Sequence, residues 1–204
     1  MFFSFDGTDG VGKSTQMERF CDALRTRGHD VAACRDPGST PLGESVRQIL
    51  LGSGPETPIG RRSEMLLYMA ARAQLVEEII LPALAAGKIV VSDRFLLANI
   101  VYQGHAGGLD IAEIRQIGNV ATTGAEPDLT FLLDMTAEAA GARISRQLDR
   151  MEQQGDEFRQ LLRTGFLAEA RRDPDRIVVI DADQSVEAVH AEILAAAEKV
   201  LSAT

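Results

Sequence analysis

Gly7-Thr8-Asp9-Gly10-Val11-Gly12-Lys13-Ser14 places glycines, a lysine and a hydroxyl at the spacing that wraps a backbone loop around phosphate groups. Glycines let successive N–H groups turn inward, Lys13 can reach β- and γ-phosphates, and the Ser14 hydroxyl can ligate Mg²⁺. The flanks agree with this reading. Phe2-Phe3-Ser4-Phe5 is a short apolar run suited to a buried strand, and Ser14–Arg27 carries Met17, Phe20, Cys21 and Leu24 at helical spacing. Strand, glycine-rich loop and helix in that order put a bound anion at a helix N-terminus. The stretch therefore points to a nucleoside triphosphate and to an α/β fold.

Further along the chain, β-rich apolar runs recur at Val31–Cys34, Ile89–Ser92, Leu129–Leu133 and Ile177–Ile180, separated by amphipathic stretches. With the first run they predict one P-loop domain over 1–204, a three-layer α/β/α fold around a five-stranded parallel sheet. The second and third runs are separated by about fifty residues, too many for a plain crossover. Helical patterns at Leu42–Leu51 and Arg61–Leu84 make residues of about 35–85 a binding flap. Thr136–Leu148 reads as a helix, Asp149–Gln154 is dense in charge and glutamine, and Glu157–Arg172 resumes helical spacing. That composition suits a mobile lid at about 143–156 over the nucleotide. Ser185–Leu201, with Val186, Val189, Ile193 and Val200 on one face, predicts a closing helix.

The 204 residues are 45% apolar and 25% charged, with a formal net charge of −9. An acidic chain lacks the basic footprint of a nucleic-acid binder, so its partner is expected to be a small anion held by a local basic cluster. Cys21 and Cys34 have no CxxC spacing and fit a reducing compartment. The first apolar run begins at Phe2, and no stretch approaches the roughly twenty apolar residues of a membrane span. A cytoplasmic location is expected. His29, His105 and His190 stand singly, without ligand spacing.

Ser92-Asp93-Arg94-Phe95 ends the third run, where open α/β sheets bind ligands. Asp93 could hold Mg²⁺ or its water and Arg94 a phosphate; an ion pair at a strand end is the plainer alternative. Asp9 would be repelled by a triphosphate unless it serves a sugar hydroxyl or an arginine on a second substrate, or else bonds its own loop. Tyr68 and Arg72 share a helix face and could present a stacking ring beside a fork of donors, although such a pair is more often simple packing. Arg143, Arg146 and Arg150 concentrate positive charge that could stabilise a migrating phosphoryl group, or could merely balance Asp149, Glu152 and Asp156.

Together these motifs resemble the bacterial thymidylate kinase family from Phe5 to about Asp183. Phe5-Asp6-Gly7-Thr8-Asp9-Gly10-Val11-Gly12-Lys13-Ser14-Thr15 looks like its P-loop, and Arg35-Asp36-Pro37-Gly38-Ser39-Thr40-Pro41 like its Arg-Glu-Pro-Gly-Gly-Thr-Pro segment. Tyr68-Met69-Ala70-Ala71-Arg72-Ala73-Gln74 is similar to its thymine-binding helix, Asp93-Arg94-Phe95 with Tyr102-Gln103-Gly104 to its monophosphate segment, and Asp149-Arg150-Met151-Glu152 to its lid. The resemblance implies that residues 7–15 and Arg143 bind ATP, with Arg143 on adenine and the backbone near Asp181–Asp183 at its edge. It implies that Tyr68 stacks on thymine, Arg72 meets the carbonyl edge, and Asn99 reads the base. Arg94 and Arg35 would hold the monophosphate, Asp9 would bind near the 3′-hydroxyl and orient Arg94, and Tyr102 would exclude a ribose hydroxyl. The family's glutamates are replaced here by Asp6 and Asp36, Ser145 stands where its lid arginine is expected, and Arg146 stands where a glycine is expected. Arg150 and Arg146 are thus both candidates for the catalytic lid arginine.

The implied reaction transfers the ATP γ-phosphoryl to dTMP with Lys13, Arg94, Asp93 and a lid arginine around the phosphates and Mg²⁺ on Ser14 and Asp93. It also implies a homodimer, with which the small-residue face of Ala112–Ala121 is compatible. The competing readings are a kinase for UMP, CMP or AMP, and a GTP-dependent switch protein, whose Asn-Lys-x-Asp segment is absent here.

Overall fold

The computed structural model describes residues 1–54, 56–144 and 155–202. Five strands form one sheet: β1 (Phe2–Asp6), β2 (Val31–Arg35), β3 (Ile89–Asp93), β4 (Leu129–Asp134) and β5 (Ile177–Asp181). Every pairing is parallel, and the order across the sheet is β2-β3-β1-β4-β5. All five expected runs are strands, each ending one residue later than its apolar pattern, on a polar residue. Those endings (Asp6, Arg35, Asp93, Asp134 and Asp181) share the carboxyl edge of the sheet. Because β1 lies between β3 and β4, the crossovers diverge beside it and open the crevice in which α/β sheets place ligands.

Helices cover both faces. On one face, Phe3 and Phe5 of β1 meet Phe131 of β4 and Phe20 of α1 (Lys13–Thr26), with ring centroids 4.9–5.7 Å apart. Val189, Ile193 and Ala197 of α9 (Val186–Leu201) close that cluster. Val186, expected on the same packed face, is exposed in the first turn, where its carbonyl accepts a bond of 2.9 Å from Gln16 Nε2. Strand alternation sends Phe2 to the opposite face, edge-on to Phe95, and Ser4 to a 2.8 Å hydroxyl contact with Thr130.

The flap between β2 and β3 comprises α2 (Pro41–Gly52), α3 (Arg61–Leu75) and α4 (Leu81–Ala85). Thr40 caps α2 by accepting the Gly43 amide at 2.9 Å, with Pro41 in the first turn where its missing N–H costs nothing. The single long helix expected over Arg61–Leu84 is instead interrupted by a π-helical turn, Val76–Ile80. Pro82 gives the cause: it has no N–H for the ladder, and the backbone widens just before it, with Leu81 N bonding Val76 O.

One element has no counterpart in the sequence pattern. After β3 the chain forms α5 (Leu96–Asn99), which widens into a π-helical segment, Ile100–Ala106, before α6 (Ile111–Thr122). Helix α7 (Ala137–Ala142) covers the first part of the expected Thr136–Leu148 helix, and α8 (Gly155–Arg172) matches the expectation for Glu157–Arg172. Arg146, Arg150 and the other residues of 145–154 lie outside the described residues. Among the described residues no helix is long and apolar enough to cross a membrane.

Candidate active site

The loop between β1 and α1 is shaped by two close approaches. At Gly7 (φ 133°) a Cβ would stand 2.3 Å from the Leu133 carbonyl oxygen, and at Gly10 (φ 89°) 2.2 Å from that of Ala140, so only glycine fits. Helix α1 starts behind Gly12 with no side-chain cap, leaving its first amides and the positive end of its dipole toward the loop. Lys13 is buried and its Nζ bonds the carbonyls of Gly7 (3.0 Å) and Thr8 (2.8 Å). Burial and the nearby Arg94 lower its pKa. Ser14 and Thr15 are exposed beside it, whereas Val11 packs into the core.

Arg94 occupies the crossing point of the site. Its backbone is left-handed (φ 67°), a strained conformation for arginine, tied down by a 2.9 Å bond from its amide to Phe5 O. The guanidinium bonds Gly7 O (3.1 Å), Asp9 Oδ1 (2.8 Å) and the Tyr102 hydroxyl (3.1 Å), and lies over the Tyr102 ring. Tyr102 in turn donates to Asp9 Oδ2 at 3.3 Å. Burial would raise the Asp9 carboxyl, but Arg94 and Lys13 outweigh it and hold the group well below the usual carboxylate range. Asp9 is thus accommodated in a phosphate loop because it serves a cationic partner.

Beside Arg94 opens a cavity of about 120 Å³. It is lined by Asp9, Arg94 and Tyr102, by Tyr68 and Arg72 of α3, and by Asn99 and Gln103. Arg72 is fully buried and makes four hydrogen bonds, among them Nε to Asp36 (2.6 Å), Nη1 to Asn99 Oδ1 (2.6 Å) and Nη2 to Phe95 O (3.2 Å). Asn99 Nδ2 continues to Gln103 Oε1 (2.7 Å), and Gln103 Nε2 to Glu64 (2.8 Å). Both ends of the Asn99 amide are therefore engaged by protein. The relay runs from Asp36 to Glu64, neither of which the sequence marked as a site residue.

Arg35 is not part of this cavity. It pairs with Glu44 at 2.9 Å on the exposed side of the β2–α2 connection, and Arg47, half-buried and bonded to Pro37 O at 3.1 Å, takes the place at the wall. Nothing in the spacing of α2 sets Arg47 apart from other helix-face arginines. Arg159 of α8 is another side chain that sequence reasoning missed; it lines a small cavity with Thr8, Asp9 and Tyr102. Arg143 donates to Ala182 O at 3.2 Å and lies 3.7 Å from Asp183, which joins it to the loop after β5.

Asp93 ends β3 with Oδ1 buried and without a hydrogen-bond partner among the described residues. That buried carboxylate oxygen, unpaired among the described residues, and the exposed Ser14 suit a magnesium ion that arrives with phosphates. Among the described residues no three His, Cys, Asp or Glu side chains converge to hold a metal on their own.

A family model described as thymidylate kinase matches residues 5–193. The chain belongs to the thymidylate kinase family. It is 44% identical to the thymidylate kinase of Exiguobacterium sp. over 196 residues, covering 95% of this chain and 92% of that protein. With the Chromohalobacter salexigens thymidylate kinase it shares 45% over 197 residues, covering 95% and 93%. The crystal structure of the Ehrlichia chaffeensis thymidylate kinase matches with a TM-score of 0.78 at 32% identity, over 99% of this chain and 98% of that one. Family membership makes the protein a P-loop kinase of nucleotide biosynthesis.

Proposed function

We infer that the protein transfers the γ-phosphoryl group of ATP to dTMP, giving dTDP and ADP on the route to dTTP. The observation that carries this reading is the position of Arg94, bonded at once to the P-loop and to Tyr102 of the adjoining cavity. A guanidinium there can grip the acceptor phosphate where the donor phosphate ends. The acceptor is already ionised and needs no strong base, so positioning and charge neutralisation carry the rate.

In this reading residues 7–15 cradle the triphosphate, Lys13 turns from the loop carbonyls to the β- and γ-phosphates, and Arg143 covers adenine. Tyr68 stacks on thymine, Arg72 offers its remaining N–H to a base carbonyl, and Asn99 and Gln103 hold Arg72 in place. Asp9 and Tyr102 border the sugar, where Tyr102 leaves no room for a 2′-hydroxyl. Arg47, at the cavity wall, takes the acceptor role that the resemblance gave to Arg35. Ser14, and Asp93 through water, would hold a magnesium ion, which would supply charge neutralisation at the phosphates. The flap at 35–85 binds the acceptor and the segment at 143–156 acts as the lid, supplying Arg150 or Arg146. We also infer a cytoplasmic homodimer. Of the small-residue face expected over Ala112–Ala121, Gly118 and Ala121 of α6 turn to the chain's own interior, so the homodimer rests on the family resemblance.

ADP formation from ATP and Mg²⁺ with dTMP, dUMP, UMP, dCMP, dGMP and AMP tests the reading. Turnover selective for dTMP is expected. Selectivity for another monophosphate would keep the kinase and discard the thymine contacts, and hydrolysis indifferent to every acceptor would overturn it.

A further inference from the structure

Away from the substrate cavity, a buried carboxylate joins three helical elements. Glu169, near the C-terminal end of α8, is 5% exposed. Its Oε1 lies 2.9 Å from His105 Nε2 in the π-helical segment, and its Oε2 accepts from Arg115 Nη2 of α6. Arg172, one turn on, comes within 3.8 Å. Burial alone would raise the Glu169 carboxyl, but the bonds from His105 and Arg115 outweigh it and hold the group below its ordinary range, so it stands as an anion.

His105 shares its segment with Tyr102 and Gln103, and α8 meets that segment at three heights. Phe158 and Phe166 approach the Tyr102 ring edge-on, with centroids 6.3 and 6.2 Å away. Gly165 lies so close that a Cβ there would stand 2.8 Å from His105 Cβ and 3.1 Å from Val101 Cγ1. Glu169 makes the third contact. Behind the same stretch of chain, Leu96, Leu97 and Ile100 border a cavity of about 110 Å³ whose rim includes Arg115 and Glu169. Apolar packing beside a void leaves room for sliding, whereas a charge-assisted bond fixes both distance and direction.

We propose that Glu169 is a positioning residue for the acceptor: through His105 it sets where the Tyr102 segment lies against α8. The proposal rests on the dTMP kinase reading and deepens it. Without this tie the segment shifts toward the cavity and carries Tyr102 away from Asp9 and Arg94. The acceptor site loosens, while Lys13 and the P-loop, held by bonds within the loop, stay in place.

The test is steady-state kinetics with wild type and Glu169→Gln, varying dTMP and ribothymidine monophosphate in turn, with thermal unfolding measured alongside. In Glu169→Gln, KM for dTMP should rise about five-fold or more and the deoxy-over-ribo ratio of kcat/KM should fall by a similar factor, while KM for ATP stays within about two-fold. A folded Glu169→Gln with unchanged KM for dTMP and an unchanged ratio overturns the proposal, even if its Tm is lower. If that variant does not fold, His105→Ala is measured in the same way and judged by the same two quantities. Failure of the wild type to turn over dTMP would overturn the kinase reading instead, and it would show before any variant is made.

Discussion

Asp6 ends the central strand with both carboxylate oxygens buried and without hydrogen-bond partners among the described residues, and with Arg94 Nη1 3.6 Å away. Burial pushes its pKa up from 3.8 to about 7, only partly offset by Arg94 and Lys13. The native chain therefore keeps a proton that the unfolded chain releases as pH rises from about 4 to about 7. The stability contributed by this group is fully present below that window and is lost as pH rises through it. Asp6→Asn, neutral throughout, should remove that loss, so the difference in Tm between variant and wild type should shift in the variant's favour between pH 5 and pH 7.5. A difference that stays constant with pH would assign the titration elsewhere. At the same scale, Arg94 shows how strain is kept: a left-handed arginine survives because its amide and its guanidinium are both tied down.

At the scale of elements, the P-loop is fitted against α7 as closely as against the strand behind it. A methyl group at Gly10 would meet the Ala140 carbonyl at 2.2 Å and would also occupy a backbone region L-residues avoid. Gly10→Ala should lower kcat/KM for ATP by about ten-fold or more, with a smaller change in dTMP binding measured by calorimetry. An equal loss for both substrates would mean that the whole sheet edge had moved. The strands and the P-loop were legible in the sequence because β1, β3 and β4, buried on both faces, are continuous apolar runs, because the edge strands β2 and β5 keep short apolar runs of their own, and because phosphate loops depend on local spacing. The Ile100–Ala106 segment was not, because its side chains face neighbours distant in sequence: Tyr102 meets Phe158 and Phe166, His105 meets Glu169, and Gln103 meets Glu64. Arg47 was hidden for a similar reason, since only folding decides which arginine of the flap turns inward. Tyr68, Arg72, Arg94, Asn99 and Tyr102 could be picked out, but the relay from Asp36 through Arg72 to Glu64 could not.

At the scale of the whole molecule, stability centres on the four phenylalanines that join β1, β4 and α1. Phe131 touches the other three and is fully buried, so Phe131→Ala removes a ring from the middle of the layer. The expected cost is about 3–5 kcal/mol, read by denaturant unfolding. A loss below about 1 kcal/mol would mean that the neighbouring rings collapse into the space. The strand order has a consequence for synthesis. Phe2 pairs with Val90 on one side, and Phe3 with Leu129 on the other, so the strand made first is enclosed only when far later parts of the chain exist. Until Leu129–Asp134 has left the ribosome, Phe2-Phe3-Ser4-Phe5 is an apolar segment with an open edge. The nascent chain must hold it apart from its neighbours, and that interval, more than the finished fold, is where this protein is exposed to aggregation.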